Sequence, residues 1–145
     1  MSTRALADQP RVILRLDRHD GVYQPGETLS GEYRLEGISR RDLEGLEVSV
    51  LWRTEGKGET DTGTHALWRY ATELGDWLDP RQPGRFSTVL PAGPLSYQGA
   101  IVKILWLVRI RVFLHRQKPL TVETPFQLGE VRSVGPTSGA TGFDR

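Results

Sequence analysis

Val102 to Leu114, VKILWLVRIRVFL, is the stretch that most limits what this chain can become. Every second residue is apolar: Val102, Ile104, Trp106, Val108, Ile110, Val112 and Leu114. The other parity carries Lys103, Arg109 and Arg111 beside Leu105, Leu107 and Phe113. Period two over this length predicts one long β-strand with one face in a core. The run is too short for a membrane helix, which needs about 20 apolar residues, and three bases interrupt it.

The same period recurs in short segments. Arg11 to Asp17, Leu29 to Glu36, Leu46 to Arg53, Ala66 to Leu74, Arg85 to Leu90 and Leu120 to Leu128 read as strands. Leu46, Val48, Val50 and Trp52 share a face, as do Trp68, Tyr70 and Leu74. A hairpin with Trp52 opposite Trp68 and Val50 opposite Tyr70 keeps both apolar faces on one side. No segment carries a helical stripe, and Ser39 to Leu43 suits a single turn in a connection. The expected fold is all-β: an antiparallel, immunoglobulin-like sandwich of about seven to eight strands. The 145 residues suit one domain, 11–128, between an N-terminal extension (1–10) and a Gly/Ser/Thr-rich tail (129–145) expected to be disordered.

YQPGETLSGEY, from Tyr23 to Tyr33, sets glycine inside a strand. Pro25-Gly26 predicts a type II turn, with Gly26 at positive φ. Gly31 marks a bulge or a close approach from a facing sheet.

ILRLDRHDGVYQPGETLSGEYRL resembles the opening of an arrestin-type N-terminal domain. FSTVLPAGPLSYQGAIVKILWLVRIRV resembles that family's later Leu-Pro, Pro-x-Ser-aromatic-x-Gly and long alternating strand. Order and separation agree, and the resemblance covers about residues 11 to 128. It implies a non-catalytic, cytoplasmic adaptor that grips a partner protein with sheet edges, loops or a basic face. It also allows peripheral membrane association through a membrane-protein partner. Arrestins proper carry two such domains and this length suits one, so rotation of one domain against another does not carry over. Nor do the family's phosphate-sensing residues match one by one.

Charge is uneven along the chain. Residues 20–79 hold thirteen acids and six bases, and residues 80–122 hold seven bases and no acid. A one-signed patch would suit an acidic or phosphorylated segment, because arginine pairs bidentately with carboxylate and phosphate. The candidate contacts are Lys103, Arg109 and Arg111 on one strand face and Arg116 and Lys118 in the following turn. Against them stands a solvated outer face with arginine stems lying on apolar surface. Trp52, Trp68 and Trp106 fall on inward faces, whereas Trp77, in the polar GDWLDP, reads either as a cap over the open end of the sandwich or as an exposed further contact. Net charge is +1 and no aromatics interleave with the bases, which argues against nucleic acid.

Other chemistry finds little support. Asp61-Thr62-Gly63 is an aspartic-protease triplet, but it occurs once within a polar loop, so a hydrolase would need a homodimer. Gly56-Lys57-Gly58 lacks phosphate-loop spacing. His19, His65 and His115 are widely separated and read as surface or loop histidines. Cysteine is absent, and no metal or cofactor is expected. MSTRALADQPRVILRL shows no secretory h-region. A structural subunit that assembles through its sheet edges is the remaining alternative.

Overall fold

The computed structural model describes residues 9–130 and 132–133. Seven strands of six or more residues are β1 (Arg11–Leu16), β3 (Thr28–Glu36), β4 (Leu43–Gly56), β5 (Thr62–Ala71), β6 (Gly84–Val89), β8 (Val102–Leu114) and β9 (Leu120–Leu128). Three two-residue strands complete the set: β2 (Val22–Tyr23), β7 (Tyr97–Gln98) and β10 (Arg132–Ser133). They form two layers. One sheet has the order β1-β3-β6; the other runs β10-β7-β8-β4-β5, with β9 also on β8 and β2 on β9. The long strands pair antiparallel, whereas β2–β9 and β10–β7 are parallel. β10 carries the chain in sheet pairing beyond Leu128; residues 134–145 of the expected tail lie outside the described residues.

The β8 alternation has its expected outcome. Trp106, Val108, Ile110, Val112 and Leu114 enter the core, with Leu46, Val48 and Val50 of β4 beside them. Tyr23, Leu29 and Phe86 close the core from other elements. Only Val102, at the strand's start, is exposed on that face.

The β4–β5 register differs from expectation, by an even number of residues at Val48 and Leu46 and by an odd number at Trp52, beyond a bulge between Val50 and Leu51. Val48 faces Trp68, Leu46 faces Tyr70, and Trp52 faces Gly63. Both strands run further toward the tip than their apolar residues indicate, so only residues 57–61 make the loop. The even shift keeps Trp68 on the same side as Leu46 and Val48, and the extra residue of the bulge absorbs the odd offset beyond it. Leu74 does not belong to that face: β5 stops at Ala71, and Leu74 ends a 3-10 turn with most of its surface in water. Ala71 N–H donates to the Asp76 carboxylate and its carbonyl accepts from Asp76 N–H, which turns the chain away. Ser39 to Leu43 is a hydrogen-bonded turn.

Gly26 has φ +86, and Glu27 N–H donates to the Gln24 carbonyl at 3.0 Å, as a type II turn requires. The Glu27 carboxylate accepts from Gln24 N–H and from Arg18, whose guanidinium also bonds the Val22 carbonyl and lies over the Tyr23 ring. The Tyr-x-Pro-Gly-Glu motif is thus a self-contained clasp over buried Tyr23. Gly31 meets the expected close approach of another backbone, but from a strand of its own sheet and together with a cross-strand ring. It pairs with Phe86 on the adjacent strand, and a Cβ there would lie 2.7 Å from that ring and 2.8 Å from the Arg15 carbonyl oxygen. Tyr33 covers Gly84 and Trp52 covers Gly63 in the same way, each across its own strand pair. Large rings lie flat on cross-strand glycines, where the missing side chain leaves room.

Candidate functional site

The non-core face of β8 is the outer face of the larger sheet, and charges from several strands meet there. Glu47 of β4 stands opposite Arg111 and Glu55 opposite Lys103, while Arg109 stands opposite Glu123 of β9. The acid-rich and base-rich parts of the sequence thus become neighbouring strands with opposite charges facing, an arrangement that stabilises pairing. The one-signed strand face read from the sequence does not form, because strand order interleaves the two halves.

Arg109 donates to Glu123 at 2.9 Å, and Arg53 of β4 reaches the same carboxylate at 3.2 Å. Arg53 stands opposite Leu105, and Glu123 opposite Arg109. β8 lies between them, so the Arg53 side chain must cross β8 over Leu107, spanning two strand spacings of about 10 Å in total. Leu107, opposite Leu51 of β4 and Pro125 of β9 at that level, is only 3% exposed although it faces away from the second sheet. The Arg53 stem covers apolar surface while its head is paired. Burial pushes the Glu123 carboxyl up, but the Arg109 hydrogen bond and the charges of Arg53 and Arg109 outweigh it and hold it below the ordinary glutamate value. Arg109 is therefore engaged within the fold. Lys103, Arg111, Arg116 and Lys118 have no ion-pair partner among the described residues.

Arg116 and Lys118 lie at the far end of the sandwich. Arg116 has φ +56 in the β8–β9 turn, and both side chains are exposed. His115 N–H donates to the Asp42 carbonyl, which fastens this turn to the β3–β4 connection. Arg40 of that connection stacks on Trp77, 4.2 Å from the ring centroid, and reaches Asp79 at 3.8 Å. Trp77 is 74% exposed. It stands at the mouth of a groove of about 480 Å³ between the sheets, walled by Tyr33, Leu35, Tyr70 and Leu78. Burial pushes the Tyr33 hydroxyl up to about 12, with the charge of Tyr70 adding to it, so it stays protonated. The structure thus gathers Trp77, Arg116 and Lys118 at one end with Arg40, leaves Arg109 and Arg111 on the sheet face, and places Lys103 near the opposite end. Sequence reasoning missed Arg40, because nothing local ties SRRDL to a tryptophan nearly forty residues on.

His65 departs from its sequence reading. It is no loop residue but the extra residue of a β-bulge where the β4–β5 register shifts between Val50 and Leu51. Its Nε2 lies 2.8 Å from the Val89 carbonyl and 3.2 Å from Thr88 Oγ1 of the other sheet. Asp61 is exposed in the hairpin loop, and its N–H donates to Thr54 Oγ1. Among the described residues, no group of three or more His, Asp or Glu is placed to hold a metal ion. No helix there is long and apolar enough to cross a membrane.

Two sheets whose long strands pair antiparallel form an all-β sandwich with an arrestin-like fold. Among solved structures, the chain is similar to Spo0M, the sporulation control protein of Bacillus subtilis, with a TM-score of 0.60 and 16% identity. The match covers 83% of this chain and 49% of that one, about half the neighbour's length. At that identity the likeness establishes the fold alone. No family model matches the sequence, and no curated protein matches it.

Proposed function

We propose that this chain is a non-catalytic adaptor module that binds a partner protein at the end of the sandwich carrying Trp77. One observation carries the reading: an indole 74% exposed stands at the mouth of an aromatic-walled groove. Large exposed aromatics beside a groove are the usual anchors of protein contacts, and arginine is enriched beside them. Arg40, Arg116 and Lys118 share that end, so the segment bound is acidic or phosphorylated and carries an apolar anchor. The engagement of Arg109 by Glu123 supports this end over the β8 face. A cytoplasmic setting, with peripheral membrane contact only through a membrane-protein partner, goes with the reading. The test compares partner capture by the wild type, Trp77→Ser, Arg116→Glu with Lys118→Glu, and Arg109→Glu with Arg111→Glu, each checked for folding by near-ultraviolet circular dichroism. The first two variants should lose the same partner and the third should keep it. Capture retained by Trp77→Ser would overturn the reading.

A further inference from the structure

β5 and β6 are both edge strands, one in each sheet, and they flank the same side of the sandwich. No strand pairing joins them; Trp68 and Phe86 approach at 6.0 Å, and His65 makes the polar link. The bulge in β5 is what turns His65 toward β6, since an extra residue re-aims the side chain it carries. The imidazole also meets the Trp106 ring edge-on at 6.3 Å, so one side is packed and Nε2 is held toward β6.

The Val89 carbonyl it meets belongs to the free edge of β6. Leu90 N–H donates to the Glu27 carbonyl, and antiparallel bonding alternates from that pair. Thr88, Phe86 and Gly84 therefore bond inward to β3. Arg85, Ser87 and Val89 direct their N–H and carbonyl groups outward. Such an edge can pair with a second strand. A second copy's β6 suits it. Antiparallel pairing centred on Ser87 sets Ser87 against Ser87 and Arg85 against Val89, so no like charges meet across the two-fold axis. Each Val89 carbonyl must accept in that ladder, and the His65 imidazole, 2.8 Å from it, competes for its outward approach.

We infer that His65 is an edge guard: by occupying the Val89 carbonyl it prevents the β6 strands of two copies from pairing, and so keeps the chain monomeric along that edge. This inference stands apart from the Trp77 contact, which lies elsewhere on the molecule. The test is sedimentation equilibrium from micromolar to millimolar concentration. His65→Leu keeps apolar bulk against Trp106 and removes the donor; its mass should double as concentration rises. The wild type and His65→Gln, whose amide still donates, should remain at monomer mass. Ser87→Pro added to His65→Leu should restore the monomer, because it deletes an outward N–H that only the dimer uses. His65→Ala serves as the second donor-free variant should the leucine fail to fold. A folded donor-free variant that stays monomeric overturns the inference. So does a dimer that survives Ser87→Pro, or a wild type that is already dimeric. Failure of both donor-free variants to fold also overturns it, by making His65 an element of stability.

Discussion

Gly26 and Tyr23 separate conformational from packing causes within one motif. A Cβ at Gly26 would meet nothing within 4 Å, so any cost of Gly26→Val comes from φ +86 and not from a clash. A loss of about 1–3 kcal/mol is expected, and an unchanged melting temperature would refute the turn assignment. Tyr23 is the opposite case. Its ring is buried and packs edge-on against Phe126, yet its hydroxyl has no hydrogen-bond partner. Removing an unpaired buried hydroxyl removes a penalty and no bond. Tyr23→Phe should therefore match or exceed wild-type stability in urea denaturation, and a clear loss would mean the hydroxyl is satisfied in solution. Pro25-Gly26 was legible because a turn is a local matter of φ and ψ. Gly31 was not fully legible, because its cause is a ring on another strand.

At the scale of elements, strand faces were readable and pairing details were not. Period two assigns a residue to a face without regard to its neighbour, which is why Leu46, Val48, Val50 and Trp68 turn inward despite the different register. The outer face shows what pairing adds. Arg53 serves Leu107 with its stem and Glu123 with its head. If cover matters more than charge, Arg53→Met should be milder than Arg53→Ala, by about 1 kcal/mol for the apolar area left bare. The exposed ion pair itself contributes only about 0–1 kcal/mol. Equal losses in the two variants, measured by chemical denaturation, would assign the role to charge. The free edges are handled at this scale too. The Asp76 contacts with Ala71 close the end of β5, and the bulge at His65 breaks its line. Both features weigh against assembly through β5.

Over the whole molecule, four carboxylates are held ionised, Asp17 and Glu123 by arginines far away in sequence and Glu27 and Asp79 by nearby groups. Asp17 is held below its ordinary value by the Ser30 hydrogen bond and then by Arg85; Asp79 by its hydrogen bonds from Arg81. Glu27 is lowered by the Gln24 N–H and then by Arg18, and Glu123 is lowered as described above. A carboxylate with a lowered folded pKa contributes stability above its unfolded value, near 4, and loses it as pH falls through the folded value. The melting temperature should therefore be flat near neutrality and fall from about pH 4 downward. Neutralising Asp17 and Glu27 together as Asn and Gln should flatten that fall. An acid limb unchanged in this variant would show that these carboxylates gain nothing on folding.

The sequence by itself determined the all-β class, the seven long strands and their inward faces, because alternation and turn residues act within a few positions of themselves. Tertiary structure alone decided the rest. Strand order placed acidic β4 on one side of basic β8, so that opposite charges face each other there, and β9 on the other side, which engaged Arg109 with Glu123. Packing of the two layers gave His65 a carbonyl to hold and Trp77 an arginine to stack on. Each of these depends on which distant strand arrives alongside. That outcome is set by burying all the apolar faces at once, and no local pattern in the chain records it.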